Sequence, residues 1–309
     1  IKGRKTSADT LAKAYDFVLQ IGKTPIVVND SRGVYTSRVF GTFVNEGMAL
    51  VGEGVPAAMV ENAGWQIGMP VGPLAVLDEV SLKLADDVLH QELADLEREQ
   101  HEHEHGHGHT HGHEHVHGHA HAHEHEHGHQ HAQGHAHGHD HDHRHAKASD
   151  AVHGHRHAHK VKSRRVPESA VYVLEKMAHG FKRMGRAYGG GFYDYPQDGE
   201  KSLWSGLKVF ERGGRAIPFE DVKDRMLYAQ AIETVRCIEE GVLESTRDAN
   251  IGAIFGWGFP AWTGGTVQFV NHVGVRAFVA RARELAQRYG ERFAPPASLL
   301  EHAERGTPL

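Results

Sequence analysis

The sequence predicts a mainly α-helical protein that contains two related helical bundles. The first observation is a helix–loop unit that begins at Arg38 and recurs from Arg225. Further along, residues of the two copies align at one offset and, after a short gap, at a second offset, which indicates a duplicated unit. These pairs are Glu46 with Glu233, Gly54 with Gly241, Val55 with Val242, Gly68 with Gly258 and Pro70 with Pro260. The second observation is that apolar residues recur at helical spacing through most of the chain.

Residues 1–30 predict one helix followed by a strand. Ser7 is a good N-cap, apolar residues follow at helical spacing, and Gly22 ends the helix. The β-branched residues 26–28 then predict a short strand. A helix–turn–strand passage of this kind is typical of the closing edge of an α/β domain, whose body would lie before Ile1.

Residues 31–100 predict the first helical domain. Apolar residues after Gly33 mark a helix that ends at Gly52–Gly54, and Pro56 opens the next helix. Residues 68–73 predict a rigid turn. Helix is then expected to continue towards residue 98 through apolar positions at Leu84, Val88, Leu89, Leu93 and Leu96.

Residues 101–160 predict a disordered His-rich insert. All but four of the 30 histidines lie here, nearly always at alternate positions, and such a composition cannot build a core. Neutral imidazole binds Zn²⁺ and Ni²⁺, so the tract predicts nonspecific metal binding. Histidines that would take part include His101, His103, His105, His107 and His109. The alternative is a repeat expansion tolerated in a surface loop, because long insertions add little loop-closure entropy.

Order is expected to resume after the tract. Residues 161–215 predict the remainder of the first helical domain and an aromatic linker, GRAYGGGFYDY. Residues 216–309 predict the second helical domain, the repeat of the first. It is expected to run from Pro218 to a last helix around residues 278–289.

The composition excludes several classes of function. A net charge of −6 gives no general attraction to nucleic acid or anionic membranes. The single cysteine, Cys237, excludes an intramolecular disulfide, and no apolar run approaches the about 18–20 residues that span a bilayer. We therefore expect a cytoplasmic protein without nucleic-acid or membrane partners.

Two motifs that resemble functional sites have a preferred structural explanation. Gly256–Ala261 matches the dinucleotide pattern G-x-G-x-x-A, but Pro260 lies inside it and helix precedes it, so we expect a structural turn. Cys237 is expected to pack as a small apolar residue within a helix. The histidines outside the tract are expected to be surface or hydrogen-bonded residues rather than catalysts: His90, His179, His272 and His302.

Acidic and aromatic residues in the repeats leave alternatives open. Glu46 and Glu233 are expected to cap or pair helices rather than to act in acid–base catalysis. Trp257 and Trp262 are expected to pack in the core, with an acyl or partner surface as the alternative.

Five ordered motifs resemble the multifunctional fatty-acid oxidation enzyme in its 3-hydroxyacyl-CoA dehydrogenase part. They are GKTPIVVND, GVYTSRVFGTFVNEG, MPVGPLAVLDEV, GRAYGGGFYDY and GFPAWTGG. The resemblance covers nearly everything except residues 101–160. It implies an NAD-binding Rossmann domain, of which residues 1–30 would be the last helix and strand, followed by two related all-helical domains.

The resemblance also implies a reaction and partners. Family members oxidise a 3-hydroxyacyl-CoA to the 3-ketoacyl-CoA with NAD, and their helical domains close over the acyl-CoA and make dimer contacts. A homodimer is therefore implied, and a thiolase subunit is a further candidate partner. In the multifunctional members an enoyl-CoA hydratase domain comes first.

Few of the family's functional residues fall within this chain. The catalytic His of an H-F-F-N-P motif, its orienting Glu and the glycine-rich nucleotide loop would all lie before Ile1. Ser37 occupies the place of a family Asn, which keeps a polar group, and Arg186 matches a region that is often basic near the cofactor. The turn that the resemblance places near the substrate contains Met69, Pro70, Gly72 and Pro73.

The sequence therefore predicts the C-terminal portion of an NAD-dependent 3-hydroxyacyl-CoA dehydrogenase, with little or no turnover by itself. One alternative is a non-catalytic helical scaffold that carries a divalent-metal-buffering tract. Another is a purely structural dimerisation domain.

Overall fold

A computed structural model describes residues 1–105, 166–211, 213–214 and 216–309 of the chain. These residues form eleven α-helices, several short turns of 3-10 or π helix, and a small hairpin. The hairpin pairs β1 (Tyr193–Asp194) with β2 (Ser202–Leu203) in antiparallel register. The helices are α1 Ala8–Gln20, α2 Thr36–Gly52, α3 Ala57–Ile67, α4 Pro73–Val80, α5 Leu82–His105, α6 Glu168–Glu175, α7 Phe219–Glu239, α8 Thr246–Trp257, α9 Thr266–Val273, α10 Val275–Tyr289 and α11 Ala297–Arg305.

The sequence repeat is also a repeat of structure. Helices α2 to α5 correspond in order to α7 to α10, and α4 and α9 have the same length of eight residues. Each of these short helices is followed by one residue with a positive φ, Ser81 at 94° and Gly274 at 89°, after which the next helix begins. The duplication therefore extends beyond the motifs that the sequence alignment matched.

Both repeats contribute to one hydrophobic core. The long helices α2 and α7 pack against each other. In addition, α7 packs against α3 of the first repeat, and α2 packs against α8 of the second repeat. Phe43 and Leu50 of α2 share a continuous buried cluster with Ile232 of α7 and Phe278 of α10. Of the described residues, those up to Leu96 and those from Val166 onward form one compact unit. The domain boundaries predicted from the sequence stay a prediction.

The N-terminal passage differs from its prediction. Helix α1 forms as expected, with the Ser7 side chain accepting from the backbone of Thr10, but none of its residues is buried. The strand expected at residues 26–28 does not form. The segment is extended, yet it makes only an isolated parallel bridge between Lys2 and Asn29, and Asn29 N donates to Val242 O in the second repeat. A strand needs a neighbouring strand, and this segment has single-residue partners instead.

The helical predictions need two smaller corrections. Helix α5 forms, and Leu84 and Val88 on it are half-exposed. It also continues to His105, so the first residues of the tract that we expected to be disordered are helical. The helix at residues 278–289 is not the last one, because α11 follows it. Among the described residues, none of the helices combines the length and the apolar character that crossing a membrane would require.

Candidate functional site

A buried arginine at the start of α2 forms ion pairs with the second repeat. Arg38 is almost fully buried, and its Nε donates to Glu233 Oε1 at 2.5 Å. Its two Nη atoms donate to the carboxylate of Glu240 at 2.5 and 2.9 Å. Arg38 therefore pairs with one carboxylate on α7 and with another immediately after that helix.

A buried arginine of the second repeat forms the equivalent ion pairs with the first repeat. Arg225 of α7 is fully buried, and its Nε donates to Glu46 Oε1 at 2.5 Å. Its two Nη atoms donate to Glu53 at 2.6 and 2.9 Å. Because the aligned arginines reach the aligned glutamates of the opposite repeat, α2 and α7 are joined by reciprocal ion pairs.

These carboxylates are suited to pairing helices and not to proton transfer. Burial would raise the pKa of Glu46, but the guanidinium groups of Arg225 and Arg292 outweigh it and hold that pKa below its ordinary value. Glu233 is likewise buried and accepts from Arg38 and Arg236. The expectation that Glu46 and Glu233 pair helices is confirmed.

In both repeats, a polar side chain of one helix accepts a hydrogen bond from the N-terminus of the next helix. Glu61 on α3 accepts from Leu74 N at 2.7 Å, and Asn250 on α8 accepts from Val267 N at 3.0 Å. Each polar group lies against a glycine where a Cβ atom would come within 2.4–2.6 Å of it, Gly72 and Gly265 respectively. Burial raises the pKa of the Glu61 carboxyl, in spite of the hydrogen bond that it accepts from the hydroxyl of Tyr193 at 2.7 Å.

Helices α4 and α9 also anchor chain segments that come later in the sequence. Asp78 of α4 accepts from Phe192 N and Tyr193 N at 2.7 and 2.8 Å. These hydrogen bonds fix the β1–β2 hairpin, whose first strand lies in GFYDY and which is called the GFYDY hairpin below. Asn271, at the matching position of α9, exchanges hydrogen bonds with the backbone of Leu309. Burial raises the pKa of Asp78, but its oxygens accept from the backbone of Phe192 and Tyr193 and from the hydroxyl of Tyr195, which assigns Asp78 to positioning the hairpin.

Most residues of the turn expected near the substrate are buried. Met69 is buried in the core, and Pro73 is buried at the first position of α4, where it packs closely against Gly47. The open side of Gly72 is filled by the Glu61 carboxylate, and only Pro70 is exposed. The role of these residues towards a substrate stays a prediction.

Ser37 and Arg186 lie on different elements. Ser37 is exposed in the first turn of α2, next to the buried Arg38. Arg186 is in a 3-10 turn before β1, pairs with Glu79 at 2.9 Å and lies over the ring of Tyr195. It lines a cavity of about 540 Å³ whose wall also contains Lys201. The expected roles of Ser37 and Arg186 stay predictions.

The two tryptophans of the second repeat have different environments. Trp257 is partly buried, packs edge-on against Tyr35 and donates from Nε1 to Gln230 at 2.8 Å, as expected for packing. Trp262 is 64% exposed, so its expected place in the core is wrong. Its Nε1 donates to Ile67 O, which places the indole over the C-terminus of α3. A surface role for Trp262 is therefore the better interpretation.

The remaining sequence motifs behave as structural elements. Gly256–Ala261 covers the end of α8, the left-handed cap at Gly258 and the start of a 3-10 turn, so the structural interpretation is confirmed. Cys237 is fully buried and is not in a disulfide. Within the tract, the backbone of His101, His103 and His105 belongs to the last turns of α5, whereas His107 and His109 lie outside the described residues.

With this geometry established, residues 33–117 match the family model described as the 3-hydroxyacyl-CoA dehydrogenase, C-terminal domain. Over these residues the chain is similar to 3-hydroxyacyl-CoA dehydrogenases. Fatty acid oxidation complex subunit alpha of Shewanella loihica is 29% identical over 310 residues, and the same subunit of Vibrio vulnificus is 26% identical over 309 residues. The alignments cover 98% and 99% of this chain but 34% of each relative, so the chain spans about a third of their length.

Solved dehydrogenase structures share the fold of the chain. The 3-hydroxybutyryl-CoA dehydrogenase of Escherichia coli K12 superposes with a TM-score of 0.61 at 14% identity. The superposition covers 99% of this chain and 66% of the Escherichia coli chain. The dehydrogenase part of multifunctional enzyme 1 from C. elegans gives a TM-score of 0.54 at 17% identity, over 97% and 54%. At these identities the similarity shows the fold alone.

Sequence reasoning missed the roles of Glu61, Asp78 and Tyr193. Asp78 and Tyr193 lie within MPVGPLAVLDEV and GRAYGGGFYDY, but the roles of all three residues depend on contacts across more than ten residues of chain. One signal was available for Asp78: it aligns with Asn271 if the repeat is extended past the three residues that the second copy inserts before Gly265. A polar residue inside an otherwise apolar short helix, present in both copies, indicates a buried hydrogen-bonding role.

Proposed function

We propose that this chain is the acyl-CoA-site and dimerisation portion of an NAD-dependent 3-hydroxyacyl-CoA dehydrogenase of fatty-acid oxidation. The complete enzyme would oxidise a 3-hydroxyacyl-CoA to the 3-ketoacyl-CoA. The observation that carries the proposal is the duplicated helical bundle, joined by reciprocal Arg38–Glu233 and Arg225–Glu46 pairs. The alignment of 98% of the chain with fatty acid oxidation complex subunit alpha supports it.

Helix α1 supports an additional domain before the bundles. Three apolar residues at its C-terminal end are 52–60% exposed: Phe17 and Leu19 within the helix and Ile21 at its C-cap. None of the helix residues is buried. An amphipathic helix is stable when its apolar side is covered by another element. An NAD-binding α/β domain that ends with this helix would supply that cover.

NAD would be held mainly by that preceding domain. The described residues contain a two-residue hairpin and no parallel β-sheet, whereas a dinucleotide loop follows a parallel strand. When bound, NAD supplies the hydride acceptor for the reaction. The contribution of this chain would be a rigid wall for the acyl-CoA, with Ser37 offering a hydroxyl from α2 and Pro70 an exposed surface on the following turn.

A direct test is to assay the purified chain for reduction of acetoacetyl-CoA by NADH. We expect no turnover, because the sequence contains neither the H-F-F-N-P motif nor a His before His90 that could act as the general base. A circular dichroism spectrum of the same sample serves as the control for folding. Turnover by the folded chain alone would contradict the proposal.

The coding sequence before Ile1 provides the complementary test. We expect it to encode a strand, a G-x-G-x-x-G loop and a helix, followed by an H-F-F-N-P segment. A reading frame in which no such domain is joined to this chain would overturn the dehydrogenase assignment and leave a purely structural role for the bundles.

A further inference from the structure

Two histidines and a buried aspartate form a cluster that includes none of the residues described above for the ion pairs or the GFYDY hairpin. Asp86 lies on α5, and its side chain is 10% exposed. His179 Nε2 is 2.9 Å from one carboxylate oxygen, and His90 Nδ1 is 3.5 Å from the other. The two imidazole rings are 6.4 Å apart, so both histidines face the same carboxylate.

One oxygen of this carboxylate is unsatisfied. Oδ1 of Asp86 is buried and has no hydrogen-bond partner, and it is the only buried side-chain polar atom of the described residues in that condition. A buried charged oxygen without a donor is unfavourable by about 1–3 kcal/mol or more. A bound ion is one of the ordinary explanations for such an atom.

The backbone around the cluster brings three ligand side chains together. Asp86 and His90 are four residues apart on α5 and therefore lie on one face of that helix. His179 comes from a π-helical turn at Lys176–Gly180, closed by a hydrogen bond from Phe181 N to Lys176 O. Single π turns are rare in proteins, and those that occur are frequently found at functional sites.

We propose that Asp86, His90 and His179 bind a divalent transition-metal ion, of which Zn²⁺ is the representative. A carboxylate with two imidazoles is a ligand set that zinc accepts, with a fourth position left for water. Neighbouring ligand atoms around tetrahedral zinc are about 3.3 Å apart when metal–ligand distances are about 2.0 Å. The separation of 2.9 Å between His179 Nε2 and an oxygen of Asp86 is close to that value.

Binding requires one small rearrangement. As they stand, no three such ligands among the described residues surround a single point closely enough to hold an ion. His90 Nδ1 lies 2.8 Å from the carbonyl oxygen of Asp86, so the ring of His90 has to turn before it can coordinate. Its side chain is 51% exposed, and a half-exposed ring on a helix surface can turn without repacking the core. Asp86 and His179 are already in place.

The ion would join two parts of the chain that are distant in sequence. Asp86 and His90 belong to α5, and His179 belongs to the turn that follows α6. Because this arrangement exists only in the folded chain, zinc would bind the folded state preferentially and raise the melting temperature. The proposal is independent of the dehydrogenase assignment.

The test is the zinc-induced change in melting temperature of the metal-free full chain. Wild type is compared with Asp86→Asn, His90→Ala and His179→Ala, and with His272→Ala as the matched control, since His272 is an exposed histidine on α9. All variants keep the same 101–160 segment, so any difference between them reports the cluster. We expect His272→Ala to keep the wild-type increase and the three cluster variants to lose part of it.

Anomalous diffraction at the zinc edge gives a readout that does not depend on the stability of the variants. A peak within about 2.0–2.2 Å of Asp86 and His179 would support the site. The proposal is overturned if the peak lies elsewhere. It is equally overturned if His90→Ala and His179→Ala, whose side chains are partly exposed, show the full wild-type increase.

Discussion

At the scale of single residues, Arg38 and Arg225 determine how the two bundles are joined. A buried ion pair has a large desolvation cost, which is offset only where hydrogen bonds satisfy both partners. Here each guanidinium makes three hydrogen bonds to two carboxylates, and Glu46 also accepts from Arg292 at 2.8 Å. A slide of α2 along α7 by one turn would leave these charges buried and unpaired, so the pairs specify the register of the two helices.

Removing one arginine should therefore be strongly destabilising. Arg225→Met keeps the apolar length of the side chain but leaves Glu46 and Glu53 without their main partner. We expect the free energy of unfolding to fall by about 3–5 kcal/mol, measured by urea denaturation. Arg305→Met is the matched control, because Arg305 pairs with Glu301 on the surface and its loss should change stability by about 1 kcal/mol or less. Equal effects of the two substitutions would show that the buried pair adds no net stability.

The partners of these arginines could have been inferred from sequence only in part. The alignment of Arg38 with Arg225 and of Glu46 with Glu233 was visible, but not which arginine meets which glutamate. Arg38 and Glu46 are eight residues apart on one helix, or about 12 Å, which is too far for a direct pair. That distance favours a partner on another helix. Identifying the partner required knowing that α2 and α7 pack together.

At the scale of elements, equivalent turns of the two repeats are under different constraints. Gly54 and Gly241 end the turns after α2 and α7, with φ of 94° and 70°. A Cβ atom on Gly54 would lie 2.3 Å from the Cα of Gly214, whereas a Cβ atom on Gly241 would meet nothing within 4 Å. Backbone conformation requires glycine at both positions, but close packing requires it at Gly54 alone.

The two alanine substitutions separate conformation from packing. Gly241→Ala should lower the free energy of unfolding by about 1–2 kcal/mol, the cost of a left-handed non-glycine residue. Gly54→Ala should cost about 1–3 kcal/mol more, because the backbone of Gly214 must also move. Urea denaturation of both variants measures the difference. A cost for Gly241→Ala equal to or larger than that for Gly54→Ala would contradict the close approach of Gly54 to Gly214.

Elements with a local cause were the ones that sequence predicted well. Helix α1 begins at its Ser7 cap, and α2, α3 and α4 follow from apolar spacing and from the Gly and Pro residues between them. Residues 26–28 failed because β-branched composition indicates extended backbone but not a partner strand. Leu84 and Val88 have helical spacing on a side of α5 that nothing in the described chain buries, and spacing alone cannot show which face packs.

At the scale of the whole molecule, the two repeats depend on each other. One continuous core cluster includes residues from both, and the buried charges of each repeat are neutralised by the other. The residues before each long helix also contact the opposite repeat, Asn29 at Val242 and Gly214 at Gly54. Neither repeat thus has a complete interior of its own, although the sequence repeat alone is compatible with two separate bundles.

This dependence predicts that the second repeat does not fold alone. In a polypeptide limited to residues 216–309, Arg225 loses both of its carboxylate partners and Glu233 loses Arg38, while the apolar face of α7 loses α2. We expect little helical circular dichroism and no cooperative urea transition from that piece. In the intact chain, tryptophan fluorescence and helical signal should change together in one transition. A cooperative transition in the isolated piece, or two separate transitions in the intact chain, would show that the repeats are independent folding units.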